Sequence, residues 1–156
     1  MRIKSLISIV GIAVIGFLNY LFLIKIQENV LFEKVVPVAG VTVDQWLEEF
    51  RSLATIGITG SLVAALIWFA LGQWIFKVNR WSETGKRPVW LMLLLLPVII
   101  AVFLMFSTPE AQEGIWWAHF FHILNALLCY VLGTLLFSPS SFKFSPPMAK
   151  VFRRGW

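Results

Sequence analysis

Charged side chains are scarce in this 156-residue sequence: they make up 13% of it, whereas hydrophobic residues make up 59%. A water-soluble domain carries about one-quarter charged residues and rarely contains several long apolar runs. The mean hydropathy of +0.83 points the same way. This composition excludes a soluble globular domain and predicts an integral membrane protein.

Four long stretches contain no Asp, Glu, Lys or Arg, and they cover approximately residues 5–24, 53–76, 89–106 and 115–137. A helix needs roughly 20 mainly apolar residues to cross about 30 Å of hydrocarbon. In lipid, backbone N–H and C=O groups must bond to each other, so a spanning segment is a helix or part of a closed barrel. A barrel strand alternates apolar and polar residues, which continuous apolar runs do not do. The predicted fold class is therefore all-α, a four-transmembrane-helix bundle that forms one membrane domain over residues 1–138.

The few charges are segregated between the two sides of this predicted bundle. With the N-terminus inside, the inner segments hold ten of the thirteen Lys and Arg residues and one acid, a net charge of +9. The outer segments hold three bases and seven acids, a net charge of −4. This positive-inside bias predicts that both termini are cytoplasmic and fits a bacterial inner membrane. The first stretch is longer than a signal-peptide core of about 7–15 residues, which favours an uncleaved anchor.

Cysteine and histidine are nearly absent. The single Cys129 excludes an intramolecular disulfide and the paired-thiol chemistry of membrane oxidases, and we interpret it as a packing residue. His119 and His122 are spaced i, i+3 in the fourth stretch, and Asn125 and Cys129 lie near the same face. Three interpretations stay open: hydrogen bonding within the structure, a pH-sensing or pore-lining role, and a metal or haem site. Structural zinc needs about four ligands and a bis-His haem needs opposing helices, so we expect no metal and no cofactor.

Groups for coupled transport or catalysis are also missing from the predicted spans. An ion-coupled carrier usually keeps a buried Asp, Glu or Arg as its coupling group, and no span contains one. A membrane enzyme typically needs paired acids, a Ser-His grouping or a Cys pair. The outer acids Glu48, Glu49, Glu110 and Glu113 fit a solvated face better than a catalytic cluster. The sequence therefore favours a protein that is not an enzyme.

The outer segment 25–52 is the one sizeable connection, and it contains a helix signal. Thr42 and Gln45 have the spacing of a capping box, and apolar residues follow at helical intervals. We predict an outer amphipathic helix that leads into helix 2. It lies on the membrane surface through Trp46, Leu47 and Phe50, or it continues the second span as one rod with a bend at Gly57 or Gly60. Residues 35–40 predict an extended segment and turn, and Thr108-Pro109 predicts the start of a lead-in helix.

Small residues recur at helical spacing in two of the spans. Such residues let membrane helices approach closely, within one bundle or between subunits. The predicted packing or oligomer interface consists of Gly57, Gly60, Ser61, Ala64, Ala65, Ala126, Cys129 and Gly133. Basic residues of the inner loop and of the tail 139–156 are predicted to dock anionic lipid or a cytosolic partner. These residues are Lys77, Arg80, Lys86, Arg87, Lys150, Arg153 and Arg154.

These absences and patterns lead to one functional prediction. We expect a non-catalytic polytopic inner-membrane subunit that self-associates and anchors or scaffolds a larger membrane-associated complex. Its expected partners are the lipid bilayer, further copies of itself and a cytosolic or membrane protein, with no nucleic acid. The alternative is a small homo-oligomeric ion channel or pore, in which Asn19, Thr55, Thr59 or the two His residues face a central axis.

Overall fold

The computed structural model describes residues 3–76 and 83–137, and 88% of these residues are helical. Residues 1–2, 77–82 and 138–156 lie outside the described part. Five α-helices are present: α1 (Ile3–Leu18), α2 (Ile24–Lys34), α3 (Val43–Leu71), α4 (Glu83–Ser107) and α5 (Ile115–Phe137). Single π-helical segments follow α1 (Asn19–Leu23) and α3 (Gly72–Phe76), and two short strands are β1 (Val36–Pro37) and β2 (Ala111–Glu113).

Four helices of the described chain are long and apolar enough to cross a membrane, as the four apolar stretches predict. They run over Leu6–Lys34, Val43–Ile75, Gly85–Ser107 and Ile115–Phe137. The third continues through Pro97, a residue that ordinarily disturbs a helix by removing one backbone hydrogen bond. The prediction of a four-helix architecture is therefore confirmed at the level of helix number and composition.

The first long helix continues well past its predicted end near Ile24. A π-helical segment at Asn19–Leu23 joins α1 to α2, which ends at Lys34. The charged residues of this stretch suggested a loop, but Ile24, Gln27 and Leu31 are buried at spacings of three and four residues. That spacing places them on one face of a helix, while Lys25, Glu33 and Lys34 are exposed and Glu28 is half-buried beside Arg51.

Helix α3 begins where the sequence predicts. The Thr42 side chain accepts a hydrogen bond from the Gln45 backbone N–H, and the Gln45 side chain accepts one from the Thr42 backbone N–H. The predicted capping box is thus confirmed. The helix then runs unbroken for 29 residues, about 44 Å at about 1.5 Å per residue, so the continuous rod is the form observed.

A two-stranded antiparallel sheet, β1 with β2, joins the two connections at one end of the bundle, with Val36 opposite Glu113. The extended segment and turn predicted at residues 35–40 are confirmed. The lead-in helix predicted from Pro109 is wrong, because residues 111–113 pair with β1 instead of beginning a helix. The fold class is accordingly not purely helical. We call this end of the bundle the sheet end.

Helix α5 lies at the centre, where it contacts α1, α3 and α4. Two hydrophobic clusters fill the interior along its length. One, at the sheet end, contains Leu31, Trp46, Phe50 and Phe121. The other, toward the opposite end, contains Ile12, Trp68, Trp90 and Tyr130. The segments 24–34 and 43–54 thus pack against each other and against the beginning of α5, and an ion pair between Arg51 and Glu28 joins them.

Candidate functional site

The interior of the bundle contains a row of polar side chains along α5. His122, Asn125 and Cys129 are buried at spacings of three and four residues, with His119 one turn before them. The shared face that the sequence predicts for these four residues is therefore present. Each of the three buried members meets a polar group from another helix or connection, and sequence reasoning missed these pairings.

His122 is 1% exposed, and its Nε2 lies 3.1 Å from the hydroxyl oxygen of Thr108. That hydroxyl donates its one hydrogen to the carbonyl oxygen of Leu104, at 2.7 Å. It can therefore only accept from the imidazole, so the Nε2–H of His122 is the donor. The ring of Phe50 packs against the imidazole, with 5.1 Å between ring centroids. Thr108, predicted to cap a helix, instead sets the tautomer of His122.

Asn125 pairs with Gln27 of α2 through two reciprocal hydrogen bonds. The Gln27 amide donates to Asn125 Oδ1 at 2.8 Å, and the Asn125 amide donates to Gln27 Oε1 at 2.9 Å. Both side chains are 1% exposed. Burying a polar group without a partner is costly, and this arrangement satisfies both amides at once. The pair thus joins the extension of the first helix to the central helix.

Cys129 accepts a hydrogen bond from the Asn19 side-chain nitrogen at 2.9 Å. Asn19 begins the π-helical segment between α1 and α2, and π-helical segments often occur at functional positions. Nearer the opposite end, the Trp90 indole donates to Thr134, and the Tyr130 hydroxyl donates to the Trp90 carbonyl oxygen. These contacts extend the polar row toward the start of α4.

Three buried side-chain atoms within the described residues have no hydrogen-bond partner: Asn19 Oδ1, His119 Nε2 and His122 Nδ1. Two of them belong to the histidine pair that the sequence singles out. No group of three or more His, Cys, Asp or Glu residues that could hold a metal ion occurs in ranges 3–76 and 83–137. The pair therefore offers two open nitrogen atoms and no further ligand of these types.

The small residues of the predicted packing interface lie inside one chain. Gly57 and Gly60 face Leu104 and Ile100 of α4, and the space beside Gly133 is filled by Ala65 and Ile12. The remaining members of the set, Ser61, Ala64, Ala126 and Cys129, are 0–1% exposed. Their contacts hold the helices of the bundle together, and Gly60 also borders an open surface groove.

The residues of the predicted interfacial helix also lie in the interior. Trp46 and Phe50 are 0% exposed, and Leu47 is buried beside them. The Trp46 indole donates to the Pro109 carbonyl oxygen at 3.0 Å, which ties α3 to the connection before β2. These side chains therefore pack within the protein, and the charged residues of this segment point outward.

Of the predicted docking residues, the structure describes two. Arg87 is exposed, and Lys86 is only 5% exposed. The other five, Lys77, Arg80, Lys150, Arg153 and Arg154, lie outside the described residues. The four acids Glu48, Glu49, Glu110 and Glu113, predicted to lie on the outer side, are all exposed at the sheet end. They form part of its charged surface.

The α3–α4 groove is an open groove of about 640 Å³ on the outer surface of the bundle. It is lined by Thr55, Ile56, Thr59, Gly60, Val63, Leu96, Ile99, Ile100 and Phe103. Both threonine hydroxyls donate to the backbone carbonyl four residues earlier, at 2.8 Å, so their hydrogens are already used. The surface of the groove is consequently apolar and shaped by small side chains on α3.

Comparison of this chain with protein-family models, with curated proteins and with solved structures finds no match.

Proposed function

We propose that this chain is a non-catalytic polytopic membrane subunit that self-associates and anchors a larger membrane-associated complex. The observation that carries the proposal is the α3–α4 groove, an apolar concave surface with Gly60 on one wall and large exposed aliphatic side chains around it. Lipid tails are as apolar as the helix surfaces, so the hydrophobic effect does not drive membrane helices together. They associate instead through close van der Waals packing at small residues. A groove of this shape fits such an association.

Insertion in a bacterial inner membrane, with both termini cytoplasmic, is part of this proposal. Four long apolar helices and the segregation of charge support it. Helix α4 supports it further. Only 22% of the most apolar stretch of α4 is buried inside the bundle, against 50% for α5, so most of its apolar surface is free to face lipid. Exposed apolar side chains such as Phe103 and Phe106 suit a lipid environment and are costly in water.

The interior of the bundle supports a non-catalytic role. Most polar side chains along α5 are buried and paired with polar side chains of other segments. Among the described residues, most charged groups belong to the segments of the sheet end, which carry seven acids and three bases, and all ten except the half-buried Glu28 are exposed. Such a surface is available for docking a partner, as are the basic inner loop and tail of the sequence.

Cysteine cross-linking in native membranes tests self-association through the α3–α4 groove. The background is Cys129→Ala, which leaves no other thiol. Ile99→Cys places a thiol in the groove on a residue that is 63% exposed, and the matched control Phe17→Cys lies on α1 with 61% exposure. We expect a disulfide-linked dimer on mild oxidation for Ile99→Cys and monomer for Phe17→Cys.

Two results would oppose the proposal. Equal cross-linking at both positions would indicate random collisions, and a monomer by light scattering of the detergent-solubilised protein would remove self-association. The anchoring role has its own test, purification of the tagged protein from its native host. Recovery of no stoichiometric partner would argue against a complex.

The channel alternative has one supporting observation. Thr55 and Thr59 line the surface that the proposed association would cover, so copies of the chain would bring them together. Planar-bilayer recording on purified protein tests this alternative directly. The subunit proposal expects no conductance across the voltages and pH values tried, and reproducible single-channel steps would favour the pore.

A further inference from the structure

Helices α3 and α5 give a common height scale for the sheet end, because they begin there side by side. Phe50, seven residues after the start of α3, packs on His122, seven residues after the start of α5. Farther along, the space beside Gly133 of α5 is filled by Ala65 of α3, so the two helices run in the same direction. Near the sheet end, a residue of α3 is therefore level with the residue of α5 that stands 72 positions later in the sequence.

At equal heights, the exposed surfaces of these two helices differ in character. The charged α3 face consists of the exposed residues Asp44, Glu48 and Arg51. The apolar α5 face, at the matching heights, consists of Trp116, Phe120 and Ile123, which are 58%, 48% and 37% exposed. Spacings of four and three residues place each set on one side of its helix. Because both sets are exposed, they point away from the contact between α3 and α5. A single level of the bundle is therefore charged on one side and apolar on the other.

The uncharged stretches of the two helices are offset along the bundle in the same direction at both ends. Helix α5 carries no Asp, Glu, Lys or Arg, whereas the charges of α3 end only at Arg51. The uncharged part of α3 thus begins about nine residues, roughly 13 Å, farther from the sheet end than that of α5. At the other end, the position of Gly133 beside Ala65 makes the last residue of α5 level with residue 69 of α3. Helix α3 and its π-helical segment continue to Phe76, roughly 10 Å beyond that level.

We propose that the bundle is tilted by roughly 30° in the membrane, so that the apolar α5 face lies in lipid while the charged α3 face stands in water. This inference rests on the proposed membrane insertion and specifies which side of the sheet end contacts lipid. Two helices side by side are about 20 Å across, and an offset of about 10–13 Å over that width corresponds to a tilt of roughly 30°. Tilts of membrane helices range over about 0–40°. The same tilt shortens the span of α5, about 35 Å along its axis, to about 30 Å, the thickness of the hydrocarbon.

The chemistry of the two faces selects lipid as the partner of α5. An indole ring favours the headgroup layer, where the tilt places Trp116, and Phe120 and Ile123 follow below it toward the acyl chains. In an upright bundle, a bilayer high enough to cover the apolar α5 face would also bury Glu48 and Arg51 in hydrocarbon. A lower bilayer would leave the three large apolar side chains in water. The tilt avoids both costs.

Helix α4 continues this lipid-facing surface beside α5. Its residues Leu95, Val102 and Phe106 are exposed and spaced by seven and four positions, so they share one side of the helix. Phe106 is 87% exposed and stands two residues before Thr108, which contacts His122 of α5. The apolar surface of α4 therefore extends to the height of the apolar α5 face, as the tilt requires.

Site-directed spin labelling measures the depth of both faces on the full chain. In a Cys129→Ala background, reconstituted in vesicles of phosphatidylethanolamine and phosphatidylglycerol, Glu48→Cys and Phe120→Cys carry a nitroxide at equal heights in the bundle. Leu95→Cys, on a residue of α4 that is 56% exposed, is the reference for insertion. Relaxation by oxygen, which concentrates in hydrocarbon, is compared with relaxation by a water-soluble nickel chelate. We expect the label at position 120 to lie about 10 Å deeper than the label at position 48, since the offset of the two helices is of that size.

The outcomes separate this inference from the membrane insertion on which it rests. Equal depths at positions 48 and 120, with position 95 in hydrocarbon, would overturn the tilt and leave insertion standing. A label at position 95 that the nickel chelate reaches as readily as the label at position 48 would overturn insertion and the tilt with it. A label at position 120 that neither oxygen nor nickel reaches would show that protein covers the apolar α5 face, which would also overturn the proposal.

Polarised infrared spectroscopy of the wild-type protein in oriented bilayers measures the mean helix tilt without any variant that could misfold. A mean tilt of roughly 30° is expected, and a mean tilt of about 10° or less would contradict the proposal.

Discussion

At the scale of single residues, the polar side chains of α5 show how a buried amide becomes specific to one neighbour. Asn125 has two donors and an acceptor inside the bundle, and Gln27 presents the complementary set from α2. A single truncation would leave the partner amide buried and unpaired. Replacement of both would remove the polar groups together. The double replacement should therefore cost much less stability than either single truncation.

We expect Asn125→Leu to lower the free energy of unfolding by about 1–3 kcal/mol, the cost of leaving a buried polar group unsatisfied. The double variant Gln27→Leu/Asn125→Leu should recover most of that loss. Unfolding by a denaturing detergent, followed by circular dichroism, gives the four values of the cycle. Simple additivity of the two single changes would contradict the paired geometry.

The sequence predicts which residues of α5 share the polar face of this site, but not the residues that bond to them. The common face of His119, His122, Asn125 and Cys129 follows from a helical repeat over eleven positions, and it is found. Their partners do not follow, because Gln27 lies 98 positions from Asn125 and Asn19 lies 110 positions from Cys129. Only the packing of α1 and α2 against α5 brings those groups together.

At the scale of elements, the sheet end depends on one glycine. Gly114, between β2 and α5, has φ of 80°, a conformation that L side chains rarely adopt. A Cβ there would also collide with the carbonyl oxygen of Lys34 at the end of α2. Gly40, in the turn after β1, has φ of 93° but open space around it. The two positions therefore share the backbone strain and differ in steric contact.

Gly114→Ala should destabilise the protein more than Gly40→Ala does. Both substitutions force an alanine to adopt positive φ, which costs roughly 1–2 kcal/mol of stability. Gly114→Ala adds an overpacking cost of about 1–3 kcal/mol against Lys34. Thermal unfolding of the purified variants measures the difference. Equal effects at the two positions would mean that the approach of α2 to the start of α5 is looser than the structure indicates.

The form of α3 illustrates what an element's sequence leaves open. Its capping box and apolar spacing predict where it begins, and they do so correctly. The same spacing is equally compatible with a helix on a membrane surface and with a rod, because both bury one apolar face. The packing of Trp46 and Phe50 against α2 and α5 decides in favour of the rod.

At the scale of the whole molecule, the proposed orientation in the membrane is testable by labelling. Val41, in the turn before α3, is 39% exposed, and Arg87, near the start of α4, is also exposed. In a Cys129→Ala background, we expect Val41→Cys to react with a membrane-impermeant maleimide in intact spheroplasts. Arg87→Cys should react only after permeabilisation, because the proposed topology places it inside.

The background variant without cysteine serves as the control and should remain unlabelled. The opposite labelling pattern would reverse the proposed orientation. Labelling of both positions in intact spheroplasts would place both ends of the bundle on one side and contradict a spanning arrangement.

The amino-acid sequence by itself determined the number of long apolar helices, the first residue of α3 and the shared polar face of α5. These features depend on periodicity and capping among residues close together in the chain. The tertiary structure decided that the first helix continues to Lys34, that residues 111–113 form a strand, and that the small residues of α3 face α4 and α5. Those outcomes depend on contacts between distant segments, whose free energies no local pattern contains.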